Sequence, residues 1–298
     1  MTSGASRAVR IDQLLAAGPT RSFEFFPPKT DDESATLTAT LRDLETLAPS
    51  FVSVTYRGGR DSRQRTFDLV TAIEREGHLV SMAHLICVGH GREEMREILE
   101  NYQRAGVENV MALGGDIPND PDLVVSEFRH AIDLVELTRE VGDFSIGVAA
   151  HPLGHPRSPD RRSDRRHLAE KLRLADFAVT QFLFELGDWT TLVDELGELG
   201  VSKPVLPGIM PVTTLAGVDR MATMGAAVPP SLLTRLEAAA ASGGPAAVRA
   251  EGVRAAGELC EQLLDAGAPG LHFYTLNRST ATREIHESLY GPGGVRRP

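Results

Sequence analysis

The sequence predicts an α/β fold of one kind, a single (β/α)8 TIM barrel with an extra helical segment before the last strand. Three observations carry that expectation. Eight short apolar runs, β-branched or aromatic-rich and bounded by Gly, Pro or charged residues, have the signature of strands. The first seven begin at residues 22, 51, 79, 109, 144, 177 and 204, a spacing that matches one strand, one helix and the crossover between them. No run leads into the G-x-G-x-x-G turn that would favour a doubly wound open sheet. The 298 residues accommodate eight such units as one catalytic domain, 1–298, without an internal linker.

In chain order, residues 1–20 read as a lead-in segment with a short helix, followed by a strand at Ser22–Pro27. Further strands are expected at Phe51–Tyr56, Leu79–Cys87, Asn109–Gly115, Phe144–Pro152, Phe177–Phe184, Pro204–Met210 and Leu271–Asn277. The stretches between them have helical periodicity. In Arg92–Gly106 the residues Met95, Ile98, Leu99 and Tyr102 recur at spacings of three and four, and Gly106 supplies the stop. Ser126–Gly142 repeats the scheme, with Ile132, Val135 and Leu137 facing inward. The long interval before the eighth strand holds a helix at Pro229–Ala241, a loop at Ser242–Pro245 and a helix at Pro245–Ala266. Residues 291–298, GPGGVRRP, read as a flexible tail.

Composition excludes several classes of function. Asp and Glu number 41 against 31 Lys and Arg, a formal charge of −10, and such a surface repels nucleic-acid phosphates. No apolar run is long enough to span a bilayer, and the N-terminus has no signal-peptide stretch, so no membrane partner and a cytoplasmic location are expected. The two cysteines, Cys87 and Cys260, cannot build a disulfide framework and suit a reducing compartment. The expected partners are small molecules; a homo-oligomer is compatible with the chain.

A barrel of this type places its site at the C-terminal ends of the strands. Polar residues gather there: Glu24, Thr55, Tyr56, His84, Asp116, His151, His155, Gln181, Asn277 and Arg278. Glu24 lies between Phe23 and Phe25, so strand alternation turns it into the barrel while the two rings face the helices. A carboxyl group there is costly to ionise unless paired, which suits a general acid; the plainer alternative is a structural carboxylate paired to an arginine. Asp116 follows Gly114-Gly115, a turn that admits a flat ligand but also fits ordinary chain reversal. Residues 157–166 hold five arginines and two aspartates, either a site for a phosphate or polyglutamate tail or a solvated helix face. His151 and His155 are four apart, but Pro152 and Gly154 oppose a helix presenting both and no third ligand follows, so no metal is expected. The Gln181 amide needs either a backbone partner or a ligand with a donor–acceptor edge. These residues point to a barrel enzyme with a buried acid and a planar, hydrogen-bonding substrate, and do not name the reaction.

Eight phrases, in order from residue 22 to about 290, resemble the methylenetetrahydrofolate reductase family. They are SFEFFPPKT, FVSVTY, AHL, GGDIP, VAAHPLGHPRS, VTQFLFE, LPGIMPVT and LHFYTLNRSTAT. The resemblance implies a barrel that carries FAD and uses NADH or NADPH to reduce 5,10-methylenetetrahydrofolate to 5-methyltetrahydrofolate, in the one-carbon metabolism that feeds methionine synthesis. It implies Glu24 as the acid that protonates folate nitrogen 10, and Asp116 as a negative charge beside flavin and pterin. Gln181, Tyr274 and Arg278 become folate contacts, with Arg278 toward the glutamate end. Thr55, Tyr56, His84, Asp116, His151, His155, Asp164 and Lys171 become the lining of the flavin dinucleotide.

The departures from the family's pattern cluster on the flavin side. Gly114 stands where the family usually has an arginine, and His151 where a tyrosine or phenylalanine is usual. The segment Lys171–Phe177 before the sixth strand is shortened, and Leu215 replaces a phenylalanine of some members. A lost charge-assisted contact costs about 1.5–3 kcal/mol. FAD binding is therefore expected to be weak or lost, with the nicotinamide passing its hydride directly to the folate. Two rival readings are a non-redox folate-acting lyase or transferase and a catalytically silent folate-binding paralogue. The regulatory domain of larger relatives has no counterpart after the last strand, so control through such a domain is not expected.

Overall fold

The computed structural model describes residues 9–56, 60–115, 127–278 and 280–291. Eight parallel strands close in chain order: β1 Thr20–Phe25, β2 Phe51–Val54, β3 Ser81–Ile86, β4 Asn109–Leu113, β5 Ser145–Ala150, β6 Phe177–Phe182, β7 Val205–Ile209 and β8 Gly270–Tyr274. Helices alternate with them: α1 Ile11–Ala17, α2 Asp31–Glu45, α3 Arg60–Glu76, α4 Arg92–Arg104, α5 Ala131–Val141, α6 Arg161–Leu174, α7 Leu186–Glu198, α8 Ala216–Thr223, α9 Pro230–Asp265 and α10 Thr280–Tyr290. The barrel closes where β1 meets β8, with Thr20 opposite Gly270 and Glu24 opposite Tyr274. A Cβ on Gly270 would lie 2.3 Å from the Thr20 carbonyl oxygen, so glycine is required at that seam.

All eight expected strands are present, and several end earlier than their apolar runs. Phe51–Tyr56 leaves the ladder after Val54, and Leu271–Asn277 after Tyr274, because their last residues turn out to build loops over the mouth. The helix read at Arg92–Gly106 buries the four residues assigned to its inner face. In α5, by contrast, Leu134 is fully buried and Ile132 is only half-buried, since Leu134 with Val135, Leu137 and Thr138 completes the inner stripe. The loop expected at Ser242–Pro245 contracts to a kink within α9, where Gly244 alone leaves helical geometry at φ 64°. Ser126 and residues 292–298 lie outside the described residues.

Two apolar layers set the position of the site. Outside the strands, Phe23, Phe25, Val52, Val54 and Phe273 pack against helix residues such as Leu37, Leu44 and Leu99. Inside the lower barrel, Phe51, Met82, Met111, Phe177, Val179 and Leu206 form a plug, and Ile11 and Leu15 of α1 cover it from below. Asn109 locks that cover, its Oδ1 accepting from the Ile11 amide at 2.8 Å. The barrel is thus sealed at its N-terminal end, and its polar interior opens toward the other.

Candidate active site

Just above the plug, β1 and β8 carry a chain of buried polar groups. Glu24 is 7% exposed and points inward, with Phe23 and Phe25 fully buried on the opposite face. Its Oε2 lies 3.4 Å from His272 Nε2 and 3.5 Å from His84 Nε2. Glu24 has no ion pair with a lysine or arginine among the described residues, so the arginine-paired alternative is set aside in favour of two imidazoles. The other ring nitrogen of His272, Nδ1, is 2.8 Å from Ser22 Oγ. His84 Nε2 is buried and makes no hydrogen bond among the described residues. Burial pushes the His84 imidazole below its usual range; His272 adds to that, and Glu24 opposes it.

The β6–β8 wall is shaped by close approach. Tyr274 donates from its hydroxyl to the Thr180 carbonyl at 2.8 Å and meets His272 edge-on, ring centroids 5.3 Å apart. Burial, with Glu24 beside it, holds this phenol protonated far above its ordinary range. A Cβ on Gly208 would fall 2.6 Å from the Tyr274 ring and 2.5 Å from the Thr180 carbonyl, so β7 admits no side chain there. Gln181 sits at an irregularity in the β6–β7 register. Its Nε2 donates to Met224 O at 2.9 Å and its Oε1 accepts from the Phe182 amide at 3.0 Å, so the amide is satisfied by backbone. Thr275 Oγ1 donates to the Glu24 carbonyl at 2.6 Å, and the Asn277 side chain exchanges two hydrogen bonds with the Phe26 backbone. Asn277 is therefore a clasp between β1 and β8. Arg278 follows it, exposed at the rim.

The opposite side, β2 to β5, gathers most of the residues assigned to a cofactor. Thr55 is buried, and its Oγ1 has no hydrogen-bond partner among the described residues. Tyr56 stands apart: its hydroxyl is 2.7 Å from His90 Nε2, and His90 Nδ1 is 3.0 Å from Glu94. Burial lifts the Tyr56 phenol to about 12. His151 and His155 meet edge-on with centroids 4.6 Å apart, and His151 Nδ1 is buried with no hydrogen-bond partner among the described residues. Burial first, then His155, pushes His151 down to about 4. Lys171 donates to Ala149 O at 3.1 Å, and burial lowers its pKa against the pull of Asp164. The arginine patch is not a uniform solvated face. Arg165 is 2% exposed and binds the carbonyls of His151 and Pro152 together with Asp164 and Glu195. Asp116 lies outside the described residues.

Comparison with known proteins decides the family. A profile of methylenetetrahydrofolate reductase matches residues 10–290. The chain belongs to the methylenetetrahydrofolate reductase family. The 5,10-methylenetetrahydrofolate reductase of Pectobacterium carotovorum is 35% identical over 292 residues, covering 96% of each chain. That of Escherichia coli is 32% identical over 272 residues, 90% of each. Methylenetetrahydrofolate reductase (NADH) 1 of Arabidopsis thaliana is 33% identical, with 90% of this chain matching 48% of that longer one. Among solved structures, an uncharacterized protein from Clostridium thermocellum, which binds two copies of 5-methyl-5,6,7,8-tetrahydrofolic acid, shares the fold at TM-score 0.64 and 13% identity. It covers 92% of this chain and 95% of its own.

In this member of the methylenetetrahydrofolate reductase family, two residues of the buried polar chain were not singled out from sequence: Ser22 and His272. The signal was present in part. Alternation in Leu271-His272-Phe273-Tyr274 puts His272 on the same face as Tyr274. What alternation does not supply is the neighbour, because Ser22 and His272 become register partners only when β8 closes against β1. Among the described residues, no helix is long and apolar enough to cross a membrane.

Proposed function

We propose that this chain reduces 5,10-methylenetetrahydrofolate to 5-methyltetrahydrofolate, with NADH or NADPH as hydride donor. The observation that carries the reading is a carboxyl group inside the barrel, flanked by two imidazoles and by no arginine or lysine among the described residues. Such a group suits delivery of a proton in a site shielded from bulk water. Glu24 gives its proton to nitrogen 10 of the folate, and the bond from that nitrogen to the methylene carbon breaks. The electron pair leaves with nitrogen 10, and nitrogen 5 and the methylene carbon become an iminium cation. A hydride from the nicotinamide then adds to that carbon, giving the methyl group and the oxidised nicotinamide; Glu24 recovers a proton from water. The ionised Glu24 stabilises the cation in the interval. Tyr274 and Gln181 wall the pterin from the β6–β8 side, Arg278 at the rim meets the glutamate carboxylates, and Asp116, outside the described residues, keeps the role the resemblance gives it, a second negative charge.

The residues on the β2–β5 side support a polar ligand more than a flavin dinucleotide. Thr55 Oγ1, His84 Nε2 and His151 Nδ1 are buried polar atoms with no hydrogen-bond partner among the described residues, which a ligand would satisfy. The diphosphate of FAD needs cations, and three of those described on this side already have partners. Lys171 is held by Ala149 O, Arg165 by two carbonyls and two carboxylates, and Arg157 donates to Gly115 O at 3.0 Å. Gly114 offers no side chain where the family's arginine would stand. The residues therefore do not fit tightly held FAD, and the hydride passes directly from nicotinamide to iminium carbon. NADH oxidation driven by methylenetetrahydrofolate, on protein stripped of flavin and with or without added FAD, tests both parts. Equal rates in the two samples are expected. A rate only with FAD overturns the direct transfer, and no folate-dependent oxidation in either sample overturns the reductase reading.

A further inference from the structure

The chemistry requires Glu24 to hold a proton when the folate arrives, and a carboxyl group beside two imidazoles would ordinarily surrender it to one of them. Ser22 bears on which way that proton goes. The Ser22 hydroxyl is fully buried and lies between two groups, the Leu271 carbonyl oxygen at 3.3 Å and His272 Nδ1 at 2.8 Å. A hydroxyl has one proton, and a carbonyl oxygen can only accept. With the Ser22 proton on Leu271 O, the hydroxyl oxygen is free to accept, and His272 Nδ1 must supply the N–H. That leaves His272 Nε2 as a bare lone pair, aimed at Glu24 Oε2 from 3.4 Å. A bare nitrogen repels a carboxylate and welcomes a carboxylic O–H.

Resting on the reductase reading above, we infer that Ser22 and His272 are positioning residues: Ser22 fixes His272 as the Nδ1–H tautomer, and the bare Nε2 of that ring keeps the proton on Glu24. The other groups packed on Glu24 are compatible. His84 on β3 is kept neutral by burial, Tyr274 on β8 keeps its phenolic proton and gives it to Thr180 O, and Ser53, the register neighbour on β2, is uncharged. His272 itself is 0% exposed, so water does not compete for either ring nitrogen.

The first test is the nitrogen-15 spectrum of histidine-labelled protein without substrate, with the His272 signals assigned by their loss in His272→Gln. A neutral ring with Nδ1 protonated is expected. A neutral ring protonated at Nε2, or an imidazolium, overturns the inference. The second test is kinetic. Ser22→Ala should lower kcat by about tenfold, with KM and the affinity for 5-methyltetrahydrofolate within about twofold of the parent. It should also move the alkaline fall of the rate to lower pH, while Ser22→Thr, which keeps the hydroxyl, restores the parent profile. A parent-like profile and rate in Ser22→Ala refutes the role. The nitrogen spectrum needs no turnover, so a failure of the reductase reading, seen as no folate-dependent oxidation in the parent, is distinguishable from a failure of this one.

Discussion

Replacing Glu24 with glutamine isolates the acid from everything else the side chain does. The amide has the same shape and occupies a site whose side chain is only 9% exposed, so packing against His84 and His272 survives. One amide atom still meets His272 Nε2 at the distance Oε2 now has, 3.4 Å, so the change in stability should stay within about 1 kcal/mol. What is lost is the transferable proton. A positioned general acid contributes about 10²–10⁴ in rate, or about 3–5 kcal/mol of barrier at 1.36 kcal/mol per decade. The assay is steady-state NADH oxidation with methylenetetrahydrofolate, alongside a titration of 5-methyltetrahydrofolate binding and a thermal melt. The expected pattern is a fall of two to four decades in kcat, product affinity within about threefold, and an unchanged melting transition. A Glu24→Gln variant turning over within about threefold of the parent refutes the acid assignment. A loss confined to KM would instead make Glu24 a binding residue.

Three further outcomes follow from the packing and charge. Gly208→Ala forces a methyl group against the Thr180 carbonyl and the Tyr274 ring, and should cost about 1–3 kcal/mol in urea unfolding; an unchanged midpoint would mean that β7 yields more easily than its register implies. Asp176→Ala removes the acceptor of both Arg139, at 2.7 Å, and the Ile146 amide, at 2.8 Å, and should destabilise by about 1–3 kcal/mol, read by the same method. Stability should also fall as the solution is acidified from about pH 6.5 to pH 4. His151 and His286 are each pushed down to about 4 by burial, so in that window the unfolded chain binds protons the native state refuses. Their contribution is fully present above the unfolded value and lost as pH falls toward 4, and His286→Gln should flatten the slope; an unaltered slope in that variant would remove His286 from the account.

The barrel was legible because its signals are local. A strand buried on both faces reads as a continuous apolar run, and Phe23-Glu24-Phe25 announces its one inward acid by breaking that run. The inner faces of α4 and most of α5 followed from spacing alone, and Ile132 was misjudged only because Leu134 lies closer to the centre of the same stripe. The fate of polar side chains was less legible. Gln181 and Asn277 both lie on or next to strands and both read from sequence as polar groups at the mouth, and the backbone groups that hold them are the turn after α8 for one and β1 for the other. Each is decided by a partner far away in the chain that no local pattern names. Arg165 was hidden for the same reason: four arginines around it in the segment 157–166 suggest solvent, and only the fold over α6 brings the His151–Pro152 carbonyls onto its guanidinium.

The site's chemistry and the barrel's closure are one arrangement. β1 contributes Ser22 and Glu24 and β8 contributes His272 and Tyr274, so the seam that closes the sheet also assembles the proton-holding group. Below that layer Phe51, Met82 and Phe177 pack beneath the site with α1 as their cover, and above it the mouth is open. The C-terminal end, where Thr55 and His151 hold atoms without a hydrogen-bond partner among the described residues, is the entry for a proton or a folate in this reading. Loosening the seam at Asn277 should for this reason weaken folate chemistry and global stability together. A change at Ser22, one register step inside the same seam, should touch the chemistry while leaving the barrel closed.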